Sequence, residues 1–259
     1  MKKLLLLSAA ILAATAFDAS ADVQARLTQK NGAVVQGMTR WQPAKKQYLV
    51  SVKQGAIETQ MEISPADVVK VEVPTPQNLR QAVQTKNTAQ LEAIMKQYVM
   101  LQYDVVAGNY LARIYLGQNK PADALRACQA VIASNPEAGT ASDLAPVYWK
   151  SLLATGQGAN LGPILDEAIR TAPPAIAAGA LNVRGDLLRA EKKDREALAD
   201  GYLRVIIFHR QQREAMSEAL YKAMETFEAL GQTPYAEKMR TELLARYSDS
   251  EEAKKLRGK

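Results

Sequence analysis

The chain has few of the residue types that build catalytic, metal and disulfide sites. Its 259 residues include one cysteine, Cys128, and one histidine, His209. A single thiol excludes an intramolecular disulfide, and one histidine with no nearby cysteine does not make up a zinc ligand set. No glycine-rich segment leads into the Lys-Ser/Thr pair of a phosphate-binding loop. The sequence therefore predicts no catalytic residue, no metal and no cofactor, which indicates that the protein is not an enzyme.

Long apolar runs are absent beyond the N-terminus. Two lysines precede a mainly apolar run over residues 4–17, and residues 19–21 are all small. This pattern predicts a secretory signal peptide over residues 1–21, cleaved before Asp22. The run is shorter than the roughly 20 apolar residues of a membrane span, and no cysteine at the cleavage site could accept a lipid. We expect an exported protein, periplasmic in a bacterium, with no integral membrane segment once the signal is removed.

A strong charge of one sign is also missing. The net charge is +6, and removal of the signal peptide leaves 31 basic and 26 acidic residues, a net charge of +5. The basic residues are spread along the chain rather than interleaved with aromatic residues, which make up only 6% of it. Single-stranded nucleic acid is bound by basic grooves that carry aromatic platforms. We therefore expect no nucleic-acid partner.

Residues 22–74 have the two-residue period of β-strands. Val23, Ala25 and Leu27 alternate with polar residues, as do the apolar residues between Ile57 and Ile63. The Asn31-Gly32 pair predicts a tight hairpin with positive φ at both positions. Pro65 opens a predicted single helical turn before a last strand. The segment is predicted to form five short strands.

Two motifs carry a resemblance to small barrels of the SH3-like and Sm-like type. They are Leu27-x-x-x-Asn31-Gly32-x-x-x-x-Gly37 and the segment over residues 63–69. The resemblance implies a five-stranded β-barrel over residues 22–74, without the RNA binding of Sm-like proteins. Pro74 and Pro76 bracket one residue, which predicts a stiff, proline-rich hinge over residues 75–77. The sequence pattern changes there to a period of 3.6.

Residues 78–259 are predicted to be helical. A capping pair of helices comes first, and four stretches then repeat small or apolar residues at a spacing of about 36 to 39 residues. The clearest has Leu111-Ala112, Tyr115, Ala124 and Cys128 in the repeating positions. The four stretches cover residues of about 105–138, 142–175, 178–211 and 217–250.

This spacing resembles the tetratricopeptide repeat, and the C-terminal ending is similar to tetratricopeptide proteins of the bacterial cell envelope. The resemblance implies a helical solenoid in which the first helix of each repeat lines a concave groove. The predicted fold is thus a multidomain α+β protein with a small β-barrel before an all-α solenoid. The implied partner-binding residues are polar positions of the first helices: Asn109, Arg113, Lys150, Asn182, Arg189 and Lys222. Their summed charge is positive, which is compatible with an acidic or C-terminal carboxylate ligand.

Three functional hypotheses remain open from the sequence. The first is an exported, non-enzymatic scaffold or adaptor that binds a protein or peptide partner in the cell envelope through the groove. The second is a structural subunit of an envelope complex, formed by self-association. The third is an accessory to an enzyme. A monomer with an accessible groove favours the first hypothesis, whereas an oligomer that forms with rising concentration favours the second.

Overall fold

The computed structural model of the protein describes residues 22–258. A five-stranded antiparallel sheet comes first, and helices fill the rest of the described chain. The predicted α+β class and the order of its two parts are confirmed. The predicted signal peptide over residues 1–21 lies outside the described residues.

The sheet has strands β1 to β5 in the order β4-β3-β2-β1-β5. A single 3₁₀ turn, Pro65–Asp67, precedes the last strand as expected, and the Ser64 side chain accepts a hydrogen bond from Ala66 N. The order is open, because no strand ladder joins β4 to β5 within residues 22–258. Closure into a barrel therefore stays a prediction. The strands are β1 Val23–Gln29, β2 Val34–Gln42, β3 Gln47–Gln54, β4 Ile57–Ile63 and β5 Val68–Glu72.

The hairpin between β1 and β2 differs from its prediction. Only Gly32 has a positive φ, of 82°, and Asn31 does not. Gly32 N donates to Gln29 O, and Gln29 N donates to Ala33 O. These bonds describe a longer loop with glycine in the left-handed position. The Asn31 side chain instead accepts a hydrogen bond from Ala33 N, a local turn that does not need a positive φ at the asparagine.

Helices occupy each of the predicted helical units. The N-terminal pair consists of α1 and α2, and each of the four stretches contains at least two helices. In chain order the helices are α1 Leu79–Gln84, α2 Thr88–Gln97, α3 Tyr103–Gly117, α4 Pro121–Ser134, α5 Ala138–Ala141, α6 Leu144–Ala154, α7 Leu161–Thr171, α8 Pro174–Ala190, α9 Asp194–Glu196, α10 Leu203–Phe208, α11 Arg213–Ala229, α12 Thr233–Arg246 and α13 Glu251–Arg257. That these helix pairs are tetratricopeptide repeats, and that they stack into a solenoid, stays a prediction.

Local sequence explains where several helices begin. Pro121 and Pro174 stand at the first position of α4 and α8, where the missing N–H is not needed. Asn87 caps α2 by accepting a hydrogen bond from Gln90 N, and Ser250 caps α13 in the same way. These capping residues lie in the turns that break the apolar period of the sequence.

One helical segment departs from α-geometry. Ala197–Tyr202, between α9 and α10, forms a π-helical turn. Gly201 lies against the backbone of Gly185 on α8, and the ring of Tyr202 covers Gly185. A Cβ atom at Gly185 would overlap that ring. Two facing glycines therefore allow α8 and the π-turn to cross at close range.

The first helices of the four predicted units are neighbours in the structure. Helix α3 packs against α6, α6 against α8, and α8 against α11. Their buried faces carry the largest enclosed side chains, which include Trp149, Leu111 and Leu181. These contacts place the four first helices side by side in one row.

The sheet and the first helices share a hydrophobic core. Tyr48 on β3 donates a hydrogen bond to Met100 O, at 2.9 Å. Met100 N donates to Asp104 Oδ2 at 2.8 Å, and Gln102 Nε2 donates to Val71 O on β5 at 2.7 Å. Met100 and Gln102 both have positive φ, of 59° and 71°. The bend before α3 is therefore anchored to two strands and to one buried carboxylate.

In residues 22–258 no helix combines the length and apolarity that crossing a membrane requires.

Candidate functional site

The six partner-binding residues predicted from the sequence all lie on the neighbouring first helices. The set comprises Asn109 and Arg113 on α3, Lys150 on α6, Asn182 and Arg189 on α8, and Lys222 on α11. Their side chains do not point separately into solvent. Five of the six belong to two separate sets of hydrogen bonds and ion pairs, and each set includes a carboxylate of α11.

Glu218 on α11 is the centre of the first set. Its carboxylate lies 2.5 Å from the ammonium of Lys150 and 2.8 Å from that of Lys222. The Asn182 amide donates to the same carboxylate at 3.4 Å and to Ala215 O at 2.9 Å. The three charged side chains are between 15% and 24% exposed. This single carboxylate therefore joins α6, α8 and α11.

The network continues from Lys222 to the π-turn. Lys222 forms a second ion pair, with Asp186 on α8. The Tyr202 hydroxyl donates to the other oxygen of Asp186 at 2.7 Å. Because Tyr202 is also the ring that covers Gly185, the close helix crossing and the polar network hold each other in place.

The second set lies between α3 and α11 and shares no hydrogen bond or ion pair with the first among the described residues. Arg113 forms an ion pair with Glu214 on α11 and donates to Asn109 Oδ1 at 2.6 Å. Asn109 in turn donates to Asp143 O at 3.2 Å. The first and last helices of the row are thereby bridged directly.

We call the two sets together the inner-helix network, and its members are Asn109, Arg113, Lys150, Asn182, Asp186, Tyr202, Glu214, Glu218 and Lys222. Arg189 lies outside it, three residues beyond Asp186 on α8, and is 3.5 Å from Asp194 and 3.8 Å from Glu225. Each of the four predicted cations therefore faces at least one carboxylate. The uncompensated positive surface expected from the sequence is not present, because the sequence analysis counted the cations without their partners.

Burial and pairing shift the pKa values of the network in opposite directions. Burial alone would raise the pKa of Glu218, but the ammonium groups of Lys150 and Lys222 hold it below its usual range. Burial lowers the pKa of Lys150, and Glu218 opposes that shift. Burial alone would lower the pKa of Lys222, but Asp186 and Glu218 raise it above its usual value. The charged forms of Glu218 and Lys222 are thus stabilised by their neighbours.

This arrangement favours binding over proton transfer. A general base works best with a pKa near the working pH, whereas the pKa of Glu218 is lowered and its oxygens already accept charged hydrogen bonds.

Within residues 22–258 no cluster of three or more His, Cys, Asp or Glu side chains could hold a metal ion. Two shallow cavities in the described part measure about 150 and 170 Å³. Both are smaller than the roughly 300 Å³ that starts the range of small-molecule sites.

One polar atom in the network lacks a hydrogen-bond partner in the described part of the chain. Asn182 Oδ1 is buried and accepts no hydrogen bond, and Asn182 as a whole is fully buried. An unsatisfied buried acceptor typically costs about 1–3 kcal/mol. Because the residue is fully buried, this oxygen is enclosed by the helices and is not exposed at the surface.

The two rare residues of the sequence lie apart from this network. Cys128 is fully buried in the core of α4, and burial raises the pKa of its thiol to about 12. His209 follows α10 and is half-buried, and burial together with Arg204 lowers its pKa. A buried thiol with a raised pKa is a poor nucleophile, so Cys128 serves as a small apolar side chain in the core.

The acidic half of the network, with Tyr202, was missed by the sequence analysis. Glu218 stands four residues before Lys222, a spacing that places the two on one helix face, so this pair could have been found. Glu214 and Asp186 have no such local signal toward Arg113 and Lys222. Their pairing requires the arrangement of α3, α8 and α11 in space.

No protein-family model, no curated protein and no solved structure matches this chain. The function of the chain must therefore be inferred from the arrangement of the side chains in its structure.

Proposed function

We propose that the protein is an exported, non-enzymatic adaptor that binds a protein or peptide partner in the cell envelope through the inner-helix network. The observation that supports the proposal is the convergence of polar side chains from α3, α6, α8 and α11, with the half-exposed Arg113–Glu214 pair as its accessible part. Charged side chains that already pair with one another can exchange those partners for groups of a ligand.

Partner binding at this surface proceeds by exchange of ion pairs. Arg113 and Glu214 form the most accessible pair, with side chains 37% and 69% exposed. Glu218 is only 15% exposed. A carboxylate of the partner therefore replaces Glu214 first, and the Lys150–Glu218 pair beneath it stays closed. Exposed pairs contribute little to stability, so this exchange has a low cost for the fold.

A charge-reversal series tests this route. We expect Arg113→Glu in the chain from Asp22 onward to reduce capture of the partner from envelope extracts by about tenfold or more, since a charge-assisted hydrogen bond contributes about 1.5–3 kcal/mol. The double variant Arg113→Glu with Glu214→Arg restores the internal pair with reversed polarity. Capture should remain low in the double variant, while the helical circular dichroism of both variants matches that of the unchanged chain.

The matched control lies in the last helix, α13. Reversal of Lys254 and Lys255 to glutamate changes two exposed charges that belong to none of the network's ion pairs, although Lys255 lies over the ring of Tyr221 on α11, and capture should be unaffected. If the tail reversal is the change that loses the partner, the basic C-terminal segment makes the contact. If the Arg113–Glu214 swap recovers capture fully, Arg113 acts through the fold and not on the partner.

The export part of the proposal has a separate test. The protein recovered from the envelope fraction should begin at Asp22 when its intact mass is measured. A mass that includes Met1 in that fraction would contradict cleavage of residues 1–21. This result is independent of the binding experiment, because the inner-helix network lies entirely within the mature chain.

A further inference from the structure

A second surface with a different chemistry lies on the opposite part of the molecule, at strand β4. This strand is one edge of the sheet and pairs only with β3 among the described residues. Its residues are exposed except for Ile63. We call the segment Ile57–Ile63 the β4 edge. Its outer row of backbone N–H and C=O groups is open to another strand, as at any sheet edge.

The β4 edge is apolar on the face that continues the buried side of the sheet. Met61 is opposite the fully buried Val50, and Thr59 is opposite Val52. Ile57 belongs to the same face, because side chains alternate along a strand. Ile57 and Met61 are nevertheless 70% and 40% exposed. The buried side of the sheet therefore extends past the part that the helices cover.

We infer that this edge pairs with the β4 edge of a second copy of the chain, antiparallel and with Thr59 opposite Thr59 of that copy. This register places Ile57 opposite the Met61 position of the second copy and Glu58 opposite Gln60. Directly opposed side chains in an antiparallel pair lie on the same face. Both exposed apolar residues of each copy are thereby covered by those of the other.

The neighbouring two-fold registers fail on charge. Centring the pair on Gln60 puts Glu58 opposite Glu62 twice, and centring it on Glu58 opposes two copies of that residue. Like charges that face each other directly destabilise a strand pair. Centring the pair on Met61 opposes no carboxylates, but it sets Ile57 against Pro65 of the 3₁₀ turn and leaves Ile57 uncovered by the second β4. Centring it on Ile57 runs both copies into the turn at Gly55. The Thr59 register is the one that covers Ile57 and Met61 together without opposing carboxylates.

The edge has few of the usual devices that prevent such pairing. Protected edges carry a proline, a bulge or charged side chains, lysine above all. The seven residues of β4 include no proline, bulge or lysine, and their two charges, Glu58 and Glu62, do not face each other in the Thr59 register. The opposite edge, β5, has an irregular register against β1 and carries Lys70. The two sheet edges therefore differ, and β4 is the one suited to a second strand.

Disulfide trapping tests the register directly. In the Thr59→Cys chain the two introduced thiols face each other across the two-fold axis, where opposed Cβ atoms lie about 4.5–5.5 Å apart. Mild oxidation should give a disulfide-linked dimer, because a small local shift brings that spacing into disulfide range. In Gln60→Cys each thiol faces Glu58 of the second copy, so little dimer should form. The native Cys128 is fully buried and adds no background.

Sedimentation measurements on the chain without cysteine changes test the association itself. We expect a dimer whose population rises with concentration, and Met61→Lys should raise its dissociation constant about tenfold or more by placing an ammonium against Ile57. The matched control is Val69→Lys on β5, which makes the same change at a residue 61% exposed and should leave association unchanged. A strict monomer at all concentrations, or equal trapping at positions 59 and 60, would overturn the inference.

Discussion

The inner-helix network and the β4 edge are two incompletely satisfied surfaces of opposite chemistry. The network is polar, and its cations and carboxylates already pair with one another. The β4 edge is apolar on one face, and its backbone edge has no partner in the described chain. A surface with internal partners binds by exchanging them, which favours specificity. A surface without partners binds by covering what is exposed, which favours self-association.

The comparison is sharpest for two Lys–Glu pairs, one in each region. Lys150–Glu218 lies in the network with side chains 24% and 15% exposed, whereas Lys45–Glu62 lies beside the β4 edge with side chains 59% and 47% exposed. Removing one member of a buried pair leaves an uncompensated charge, but exposed pairs contribute little. The same chemical change should therefore have very different effects at the two sites.

The largest effect is expected for Glu218→Gln, which keeps the shape of the side chain and removes its charge. Lys150 and Lys222 would then repel each other without a shared anion, and we expect the unfolding free energy to fall by about 3 kcal/mol, the low end for buried pairs because both lysines retain some exposure. Chemical denaturation measures this. The matched control, Glu62→Gln, should leave the transition midpoint unchanged. Equal losses in the two variants would remove the distinction between the regions.

A smaller effect is expected where the network meets the close helix crossing. Gly185→Ala puts a methyl group into the ring of Tyr202, which also holds Asp186. Overpacking of this kind typically costs about 1–3 kcal/mol. Thermal unfolding should show a lower midpoint for Gly185→Ala.

The control for that variant is Gly162→Ala on α7, where an added Cβ meets no atom within 4 Å. This change should raise the midpoint slightly, because alanine favours the helix over glycine. Partner capture gives a second readout, since displacement of Tyr202 disturbs Asp186 and Lys222. If Gly185→Ala unfolds at the same temperature as the unchanged chain, α8 and the π-turn can separate more easily than their packing implies.

The sequence predicted elements better than it predicted partners. Helix positions follow from apolar period and from breakers such as Pro121 and Pro174, all of which are local signals. The cationic half of the network was among the polar first-helix positions that the tetratricopeptide resemblance implied. Glu214 and Asp186 did not, because their pairing depends on the arrangement of helices distant in sequence. Lys150 and Glu218, for example, are 68 residues apart.

The β4 edge shows a different limit. Alternation between Ile57 and Ile63 predicted a strand, and β4 is one. The same alternation suits a central strand and an edge strand, so the sequence did not indicate that one face extends past the core. In a closed barrel every strand would pair with a neighbour on both sides. The strand order of the described residues has β4 at one end, and this position could not be read from the sequence.

The two regions are joined at the bend before α3, where Asp104 is buried. Burial raises the pKa of its carboxyl to about 6, although three backbone N–H groups near the helix start favour the ionised form. The titratable group that faces it is Tyr48 on β3, which donates a hydrogen bond to Met100 O; burial, with a smaller contribution from Asp104, raises the pKa of Tyr48 to about 12. One carboxyl oxygen, Oδ1, accepts no hydrogen bond. The junction thus contains an ionised group with incomplete compensation at neutral pH.

The smallest expected effect is a pH dependence at this junction. The folded pKa of Asp104 lies above its unfolded value of 3.8, so its favourable contribution is complete below about pH 4 and is lost as the pH rises through about 6. From about pH 7.5 to about pH 5 it should raise the unfolding free energy by about 1 kcal/mol. His209 acts in the opposite direction, because its folded pKa is lowered. The measurement is therefore the difference in unfolding free energy between the unchanged chain and Asp104→Asn. Both chains contain His209, so its contribution is the same in each and drops out of the difference. As the pH falls, the unfolding free energy of the unchanged chain should rise relative to that of Asp104→Asn. If the difference between the two unfolding free energies stays constant with pH, Asp104 titrates normally and the junction does not respond to pH in this range.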